Sequence, residues 1–149
     1  MVPKEMNHPS TITQTDIKHA ARILKRGGVV VFPTETAYGL AADATNSVGT
    51  KQICDMKGRI QEKALPIIAA NREMVETVAS IPSELAKLAD KHWPGALTLI
   101  LPVLEESLAP GIIKNDEVAV RVSSNKIAME LSRALGAPIV STSAIVDTG

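Results

Sequence analysis

The feature that most constrains the fold is a run of four apolar residues, Val29 to Phe32, that does not alternate with polar residues. A strand covered on both faces has this pattern, whereas a strand with one wet face alternates. Pro33 lacks the amide hydrogen that a sheet ladder needs, so it predicts the end of the strand. The following loop carries Thr34 and Thr36, and ligands bind at such strand ends in open α/β sheets. An ordinary turn with capping hydroxyls would explain the same residues.

Strand and helix signals alternate along the rest of the chain. Apolar runs predict strands, and apolar residues at helical spacing predict helices. The strands are expected at residues 40–44, 65–70, 97–103, 118–122 and 138–142. Helix caps are expected at Thr13 or Thr15, Ser47, Asn71 and Ser83, and the helix after Ser47 is expected to turn Val48 inward. A further helix is expected from Lys126 to Leu135, ending at Gly136. Residues 1–12 show no period and predict a loose leader. The alternation predicts a single α/β domain, with helices flanking a twisted mixed sheet of parallel and antiparallel strands.

Composition disfavours several classes of function. Sixteen basic and sixteen acidic residues leave no net charge, and aromatic residues make up only 2% of the chain, so a stacking platform for single-stranded nucleic acid is not expected. The single cysteine, Cys54, excludes an internal disulfide, and the three histidines do not group at ligand spacing, so no metal site is predicted. The chain has no apolar stretch that fits a membrane span or signal peptide, which predicts a cytoplasmic protein without a membrane partner.

Two polar clusters and one charged strand residue are candidates for binding. Lys57-Gly58-Arg59 ends a predicted helix, and its two cations suit phosphate oxygens, although the helix dipole also favours cations there. Ser141-Thr142-Ser143 leaves the last strand, and its hydroxyls can contact an anion or cap a helix. Arg121, within Val-Ala-Val-Arg-Val, is expected to face either a carboxylate in the sheet or an anionic ligand.

Five sequence blocks in order resemble the YrdC-like threonylcarbamoyl-adenylate synthase family. They read GGVVVFPTETAYGL, KGR, WPGALTLIL, VAVRV and PIVSTSA, and the resemblance extends from about Thr13 to Ala144. It implies one YrdC-like domain over residues 1–149 with a concave basic groove. It also implies that L-threonine, bicarbonate and ATP give threonylcarbamoyl-adenylate and pyrophosphate, with ATP as a substrate and Mg²⁺ at its phosphates. The product would pass to a tRNA-modifying transferase complex that forms threonylcarbamoyladenosine.

The same resemblance implies a role for each polar cluster. Lys57 and Arg59 fall on the catalytic cations at the phosphates of ATP, and Ser143 falls on a nucleotide-binding position. Arg121 is expected to hold the threonine carboxylate, for which its planar fork is well shaped. The expected L-threonine pocket consists of Thr34, Thr36, Lys63, Arg121 and Ser141.

The chain also departs from the family pattern. Ile145 stands where the family has an asparagine, and an isoleucine side chain cannot form the hydrogen bonds of an amide. Ile60 and Ala64 replace prolines in the loop after Lys-Gly-Arg. Family members continue beyond the last residue of this chain, which predicts that the C-terminal part of the domain is missing and that catalysis is impaired.

Two other functions fit part of the sequence. Lys51, Lys57, Arg59 and Lys63 form a local basic cluster that can contact phosphates, so the alternative is a module that binds double-stranded RNA or tRNA without catalysis. A carbamoyl-handling domain of larger hydrogenase-maturation proteins is a third possibility. The absence of their zinc-finger and acylphosphatase segments disfavours it.

Overall fold

The computed structural model describes residues 4–5, 12–34, 37–57, 65–104 and 107–143. The strands are β1 (Lys4–Glu5), β2 (Val30–Pro33), β3 (Tyr38–Asp43), β4 (Ile67–Ala69), β5 (Leu99–Pro102), β6 (Glu117–Val122) and β7 (Ile139–Ser143). The helices are α1 (Gln14–Lys25), α2 (Ser47–Lys57), α3 (Arg72–Val78), α4 (Ser83–His92) and α5 (Lys126–Leu135), and a short 3-10 helix spans Pro110–Ile112.

The strands of this described part form one mixed sheet in the order β1-β2-β3-β7-β4-β6-β5. The β1/β2 and β4/β6 pairs are parallel, and the other neighbours are antiparallel. The predicted α/β domain with a mixed sheet is therefore confirmed. The leader differs in one respect from the prediction of a loose segment, because Lys4–Glu5 pairs with Val30 and Val31 at the edge of the sheet.

Helices cover the sheet on both sides. One apolar cluster joins α1 and α5 to the first face, through residues such as Leu24, Phe32 and Leu131. The other cluster joins α2, α3 and α4 to the opposite face. Val29 belongs to this second cluster and Val30 to the first, so successive residues of the opening run pack on opposite faces. This explains why the run contains no polar alternation.

Local signals account for most helix ends. Thr13 forms a capping box with Asp16, and the side chains of Asn71 and Asn125 cap α3 and α5. Gly136 ends α5 with a φ of 80°, a conformation that glycine adopts without strain.

Two predicted caps and one predicted core residue are wrong. The side chain of Asn46, one residue before Ser47, accepts the Val48 amide hydrogen at 2.9 Å. Helix α4 begins after Pro82 with no side-chain cap, so Ser83 is its first residue rather than its cap. Val48 was expected inside but is 57% exposed.

A Trp-Pro-Gly turn links α4 to the sheet. The indole nitrogen of Trp93 donates to the Leu97 carbonyl at 2.8 Å, and the Gly95 amide donates to the Val122 carbonyl at 2.8 Å. A Cβ atom at Gly95 would clash with the backbone oxygen of His92, so only glycine fits without a shift. The turn is therefore held against the end of β6. None of the described helices combines the length and hydropathy needed to cross a membrane.

Candidate active site

A cavity of about 370 Å³ lies beside the end of β6 and the start of α5. Its walls come from the loop after β2, from strands β4, β6 and β7, from the Trp-Pro-Gly turn and from the first turn of α5. Its polar side chains are Thr34, Arg121, Ser123, Ser124, Asn125 and Ser141. A pocket of this volume fits a small molecule such as an amino acid.

Sheet register brings Arg121 and Ser141 to the same side. Ile68 is the cross-strand partner of both Arg121 and Ile139, and Ser141 follows Ile139 by two residues. Because side chains alternate between faces, all four project from the face that α1 and α5 cover. The sequence predicted polar groups at a strand end, which describes Thr34. Arg121 and Ser141 instead lie within their strands and face the cavity from the sheet surface.

Arg121 has no carboxylate partner among the residues that the structure describes. It is half-buried and lines the cavity, and no salt bridge involves it among the described residues. Of the two alternatives that the sequence left open, an ion pair within the sheet therefore gains no support there. The guanidinium presents its donors to a cavity that has room for an anionic ligand.

The first turn of α5 adds further positive potential. The Asn125 side chain accepts the Ala128 amide hydrogen at 3.0 Å, and Ser123 Oγ accepts the Asn125 amide hydrogen at 2.9 Å. Other amides of a first helical turn have no partner within the helix, and they carry partial positive charge. Together with Arg121 they make this end of the cavity suitable for a carboxylate. Sequence reasoning missed these residues, although an Asn cap before a helical pattern was a readable signal.

Thr34 closes the loop after β2 and keeps acceptor capacity. Its hydroxyl donates to the Ala37 carbonyl at 2.7 Å and accepts the Ala37 amide hydrogen at 3.1 Å. Since the hydroxyl hydrogen is used, the oxygen can interact with a ligand only as an acceptor. An amino group is a suitable donor. The cavity therefore offers donors for a carboxylate and an acceptor for an amine, the two groups common to α-amino acids.

Lys57 and Ser143 lie together but apart from the lining of this cavity. Lys57 ends α2 and is 5% exposed, and its Nζ donates to the Ser143 carbonyl at 2.8 Å. Ser143 pairs with Gly39 at the end of β7. Their expected roles at the nucleotide stay predictions, as does the concave basic groove.

The remaining predicted site residues lie outside the described part of the chain. These are Thr36, Arg59 and Lys63, together with the departures from the family pattern at Ile60, Ala64 and Ile145.

The RNA-binding alternative gains little support from the two described members of the basic cluster. Lys51 and Asp55 form an exposed ion pair at 3.4 Å, which partly neutralises the Lys51 charge. Lys57 is buried, so its ammonium is not presented on the surface. Neither residue therefore offers the free surface cation that a phosphate backbone requires.

No cluster of three or more His, Cys, Asp or Glu residues in the described ranges could hold a metal ion. The expected Mg²⁺ therefore stays a prediction. Cys54 is buried.

Comparisons with known proteins agree with the blocks read from the sequence. The Sua5/YciO/YrdC family model, described as "Telomere recombination", matches residues 22–149. The threonylcarbamoyl-AMP synthase of Halorhodospira halophila is 37% identical over 131 residues, which cover 86% of this chain and 68% of that protein. The enzyme of the same name from Bacillus subtilis is 41% identical over 130 residues, which cover 86% of this chain and 38% of that protein.

A solved structure extends the agreement to three dimensions. The crystal structure of Pyrococcus abyssi Sua5 complexed with L-threonine matches with a TM-score of 0.82 at 36% identity. The match covers 95% of this chain and 42% of that chain, so this chain spans less than half of that protein and of the Bacillus subtilis relative. The family model, the sequence identity and the shared fold together show that the chain belongs to the Sua5/YciO/YrdC family.

Proposed function

We propose that this chain carries the threonine site of a threonylcarbamoyl-AMP synthase, which forms threonylcarbamoyl-AMP and pyrophosphate from L-threonine, bicarbonate and ATP. The observation that carries the proposal is the convergence of Thr34, Arg121 and Ser141, from three separate sequence blocks, on one cavity. Relatives named threonylcarbamoyl-AMP synthase and the L-threonine complex of Pyrococcus abyssi Sua5 support it.

L-threonine would bind through complementary polar groups. The fork of Arg121 binds the carboxylate, assisted by the amide groups at the start of α5. Thr34 Oγ1 accepts a hydrogen bond from the amino group, because its own hydrogen is held by Ala37. Ser141 supplies a hydroxyl for the substrate side chain. Thr36 and Lys63 complete this pocket in the proposal.

The reaction would then proceed in two steps, carbamate formation and adenylyl transfer. The neutral amine attacks the carbon of bicarbonate, and the resulting carbamate forms with loss of water. A carbamate oxygen next attacks the α-phosphorus of ATP, so that an O–P bond forms and the bond to the bridging oxygen breaks. Pyrophosphate leaves with that electron pair. Since charge builds on the leaving group, positioned cations and amides lower the barrier.

We assign the leaving-group end of the site to Lys57, Arg59 and Ser143. The bond from Lys57 to the Ser143 carbonyl holds the end of α2 against the end of β7, so both residues would be fixed before ATP binds. Mg²⁺ would bind to the site together with ATP, as a ligand of its phosphates. The product would pass to a tRNA-modifying transferase complex that forms threonylcarbamoyladenosine.

Pyrophosphate release from ATP tests the proposal. Release should require both L-threonine and bicarbonate, and omission of either should reduce it to the background rate. No release from folded protein, or release without threonine, would contradict the catalytic proposal. If the chain bound threonine but released no pyrophosphate, the proposed binding site would stand and the proposed catalysis would be wrong.

Neighbouring residues of β7 provide a matched pair of variants. Ser141 faces the cavity, whereas Thr142 pairs with Leu40 and faces the opposite side of the sheet. Ser141→Ala should lower kcat/KM for threonine about 10-fold, the effect of one lost hydrogen bond to a polar substrate group. Thr142→Val, which also removes a hydroxyl, should stay within about twofold of the wild type, because side chains on the far face do not reach the cavity.

A further inference from the structure

We propose that the Ser123 hydroxyl donates a hydrogen bond to the substrate carboxylate that Arg121 binds, which makes Ser123 an additional substrate-binding residue. This inference rests on the proposed function, because it requires an amino acid in the cavity. It goes beyond that function because Ser123 belongs to none of the sequence blocks that carry the family resemblance.

The buried hydroxyl groups of the described chain differ in how they use their hydrogen atoms. Thr50, Ser123 and Ser132 are 2%, 3% and 0% exposed. Thr50 Oγ1 donates to the Asn46 carbonyl at 3.0 Å, and Ser132 Oγ donates to the Ala137 carbonyl at 2.8 Å. Both hydroxyls therefore replace the hydrogen bond to water that burial removes, as buried polar groups normally do.

The Ser123 hydroxyl accepts a hydrogen bond from the protein, whereas those of Thr50 and Ser132 donate one. Its Oγ accepts the amide hydrogen of Asn125 at 2.9 Å, but its own hydrogen has no protein acceptor among the described residues. A buried donor left without an acceptor costs about 1–3 kcal/mol. The geometry thus retains a donor that the fold does not use.

The cavity is the place where an acceptor can reach this donor. Ser123 directly follows β6 and lines the cavity, as Arg121 does two residues earlier, so the two residues face the same space. A carboxylate held by Arg121 would lie beside the Ser123 hydroxyl. A hydrogen bond to a carboxylate is shorter and stronger than one between neutral groups, which suits a single well-placed donor.

The neighbouring Ser124 does not share this property. It also lines the cavity but is exposed, so water can accept its hydrogen in the absence of substrate. Ser123 is further restrained by Asn125, whose amide occupies one lone pair of the Ser123 oxygen and whose side chain caps α5. Substrate binding would therefore satisfy Ser123 with little loss of side-chain freedom.

Calorimetric titration with L-threonine tests the inference without requiring catalysis. Ser123→Ala should weaken threonine binding about 10-fold, as expected for loss of one hydrogen bond to a charged group. Ser123→Asp keeps an acceptor for the Asn125 amide but places a negative charge beside the carboxylate, so it should weaken binding further. Ser132→Ala is the matched control: it should lower the thermal midpoint and leave threonine affinity within about twofold, because its hydroxyl binds only the fold.

1-Aminopropan-2-ol, which lacks the carboxylate carbon and both of its oxygens, identifies the group that Ser123 contacts. It should bind the wild type weakly, and Ser123→Ala should change that affinity by less than about twofold because no acceptor remains at the carboxylate position. Unchanged threonine affinity in folded Ser123→Ala and Ser123→Asp would overturn the inference and leave the proposed function standing. Equal losses for threonine and 1-aminopropan-2-ol would also overturn it. A wild-type chain that binds no threonine would remove both proposals.

Discussion

Arg121 and Lys57 are both cations predicted to bind substrate, yet their surroundings differ. Arg121 projects from β6 into the cavity and has no ion pair in the described part of the chain. Lys57 is buried at the end of α2 and donates to the Ser143 carbonyl. The Arg121 guanidinium faces the cavity and is therefore available to a ligand. The Lys57 ammonium, in contrast, already donates one hydrogen bond to the backbone. The two residues should therefore respond differently to substitution.

A third cation, Arg72, provides a reference on the protein surface. Its guanidinium binds the carboxylates of Glu76, in the same helix, and of Asp90 in α4. The hydrogen bond to Glu76 is the main cause that raises the pKa of Arg72 above its ordinary value. Arg72 thus has carboxylate partners, whereas Arg121 has none in the described ranges, and Arg72 is partly exposed, whereas Lys57 is buried.

Arg121→Gln should have the largest effect, and that effect should be on binding alone. Loss of the guanidinium should weaken L-threonine binding about 100-fold, because a carboxylate loses its charged partner. The free energy of unfolding should change by less than about 0.5 kcal/mol, because the guanidinium forms no ion pair within the described ranges. Calorimetric titration and urea unfolding measure the two quantities.

Arg133→Gln is the matched control for this variant. Arg133 is exposed near the end of α5, and its guanidinium contacts only the sulfur of Met129, at 3.9 Å, among the described residues. It should leave both affinity and stability unchanged. Loss of stability in Arg121→Gln, with affinity retained, would break the comparison by making Arg121 a structural residue.

Lys57→Met should lower stability and leave threonine binding nearly unchanged. Methionine fills a similar volume at this buried position but cannot donate the hydrogen bond that the Lys57 ammonium gives to the Ser143 carbonyl. The free energy of unfolding should fall by about 1–3 kcal/mol. Threonine affinity without ATP should stay within about threefold, because Lys57 does not line the cavity. Urea unfolding and calorimetry again give the two values.

Lys51→Met provides the control, because Lys51 lies on the same helix with its side chain exposed. Its unfolding free energy should remain within about 0.5 kcal/mol of the wild type. If Lys57→Met proved as stable as Lys51→Met and lost threonine binding, the contrast between Arg121 and Lys57 would fail.

Much of the fold could be predicted because its signals are local. The apolar run at Val29 predicted a strand covered on both faces, and Thr13, Asn71 and Gly136 marked the ends of helices. The cap at Ser47 was wrong by one residue, because Asn46 and Ser47 are both good caps and the sequence does not distinguish them. The pairing of Lys4–Glu5 depends on a distant strand, so no periodicity within the leader could predict it.

The site was predicted less completely because it depends on long-range contacts. Thr34, Arg121 and Ser141 were identified through ordered sequence blocks, but their common cavity follows from sheet register. The burial of Lys57 follows from a contact with Ser143, 86 residues further along the chain. The role proposed for Ser123 could not be inferred from sequence, because it depends on which described residues bond to its hydroxyl.

Arg72→Gln should have the smallest effect and thereby sharpens the contrast with Lys57. The side chains of Arg72, Glu76 and Asp90 are 35%, 53% and 65% exposed, so water already solvates the charges that the ion pairs join. Exposed pairs contribute little to stability, and salt screens them. The thermal midpoint should fall by less than about 3 °C at low ionic strength, and the difference should shrink in roughly 1 M salt. A larger, salt-independent fall would mean that this network supports the packing of α3 against α4, so that exposure alone would not separate structural cations from surface ones.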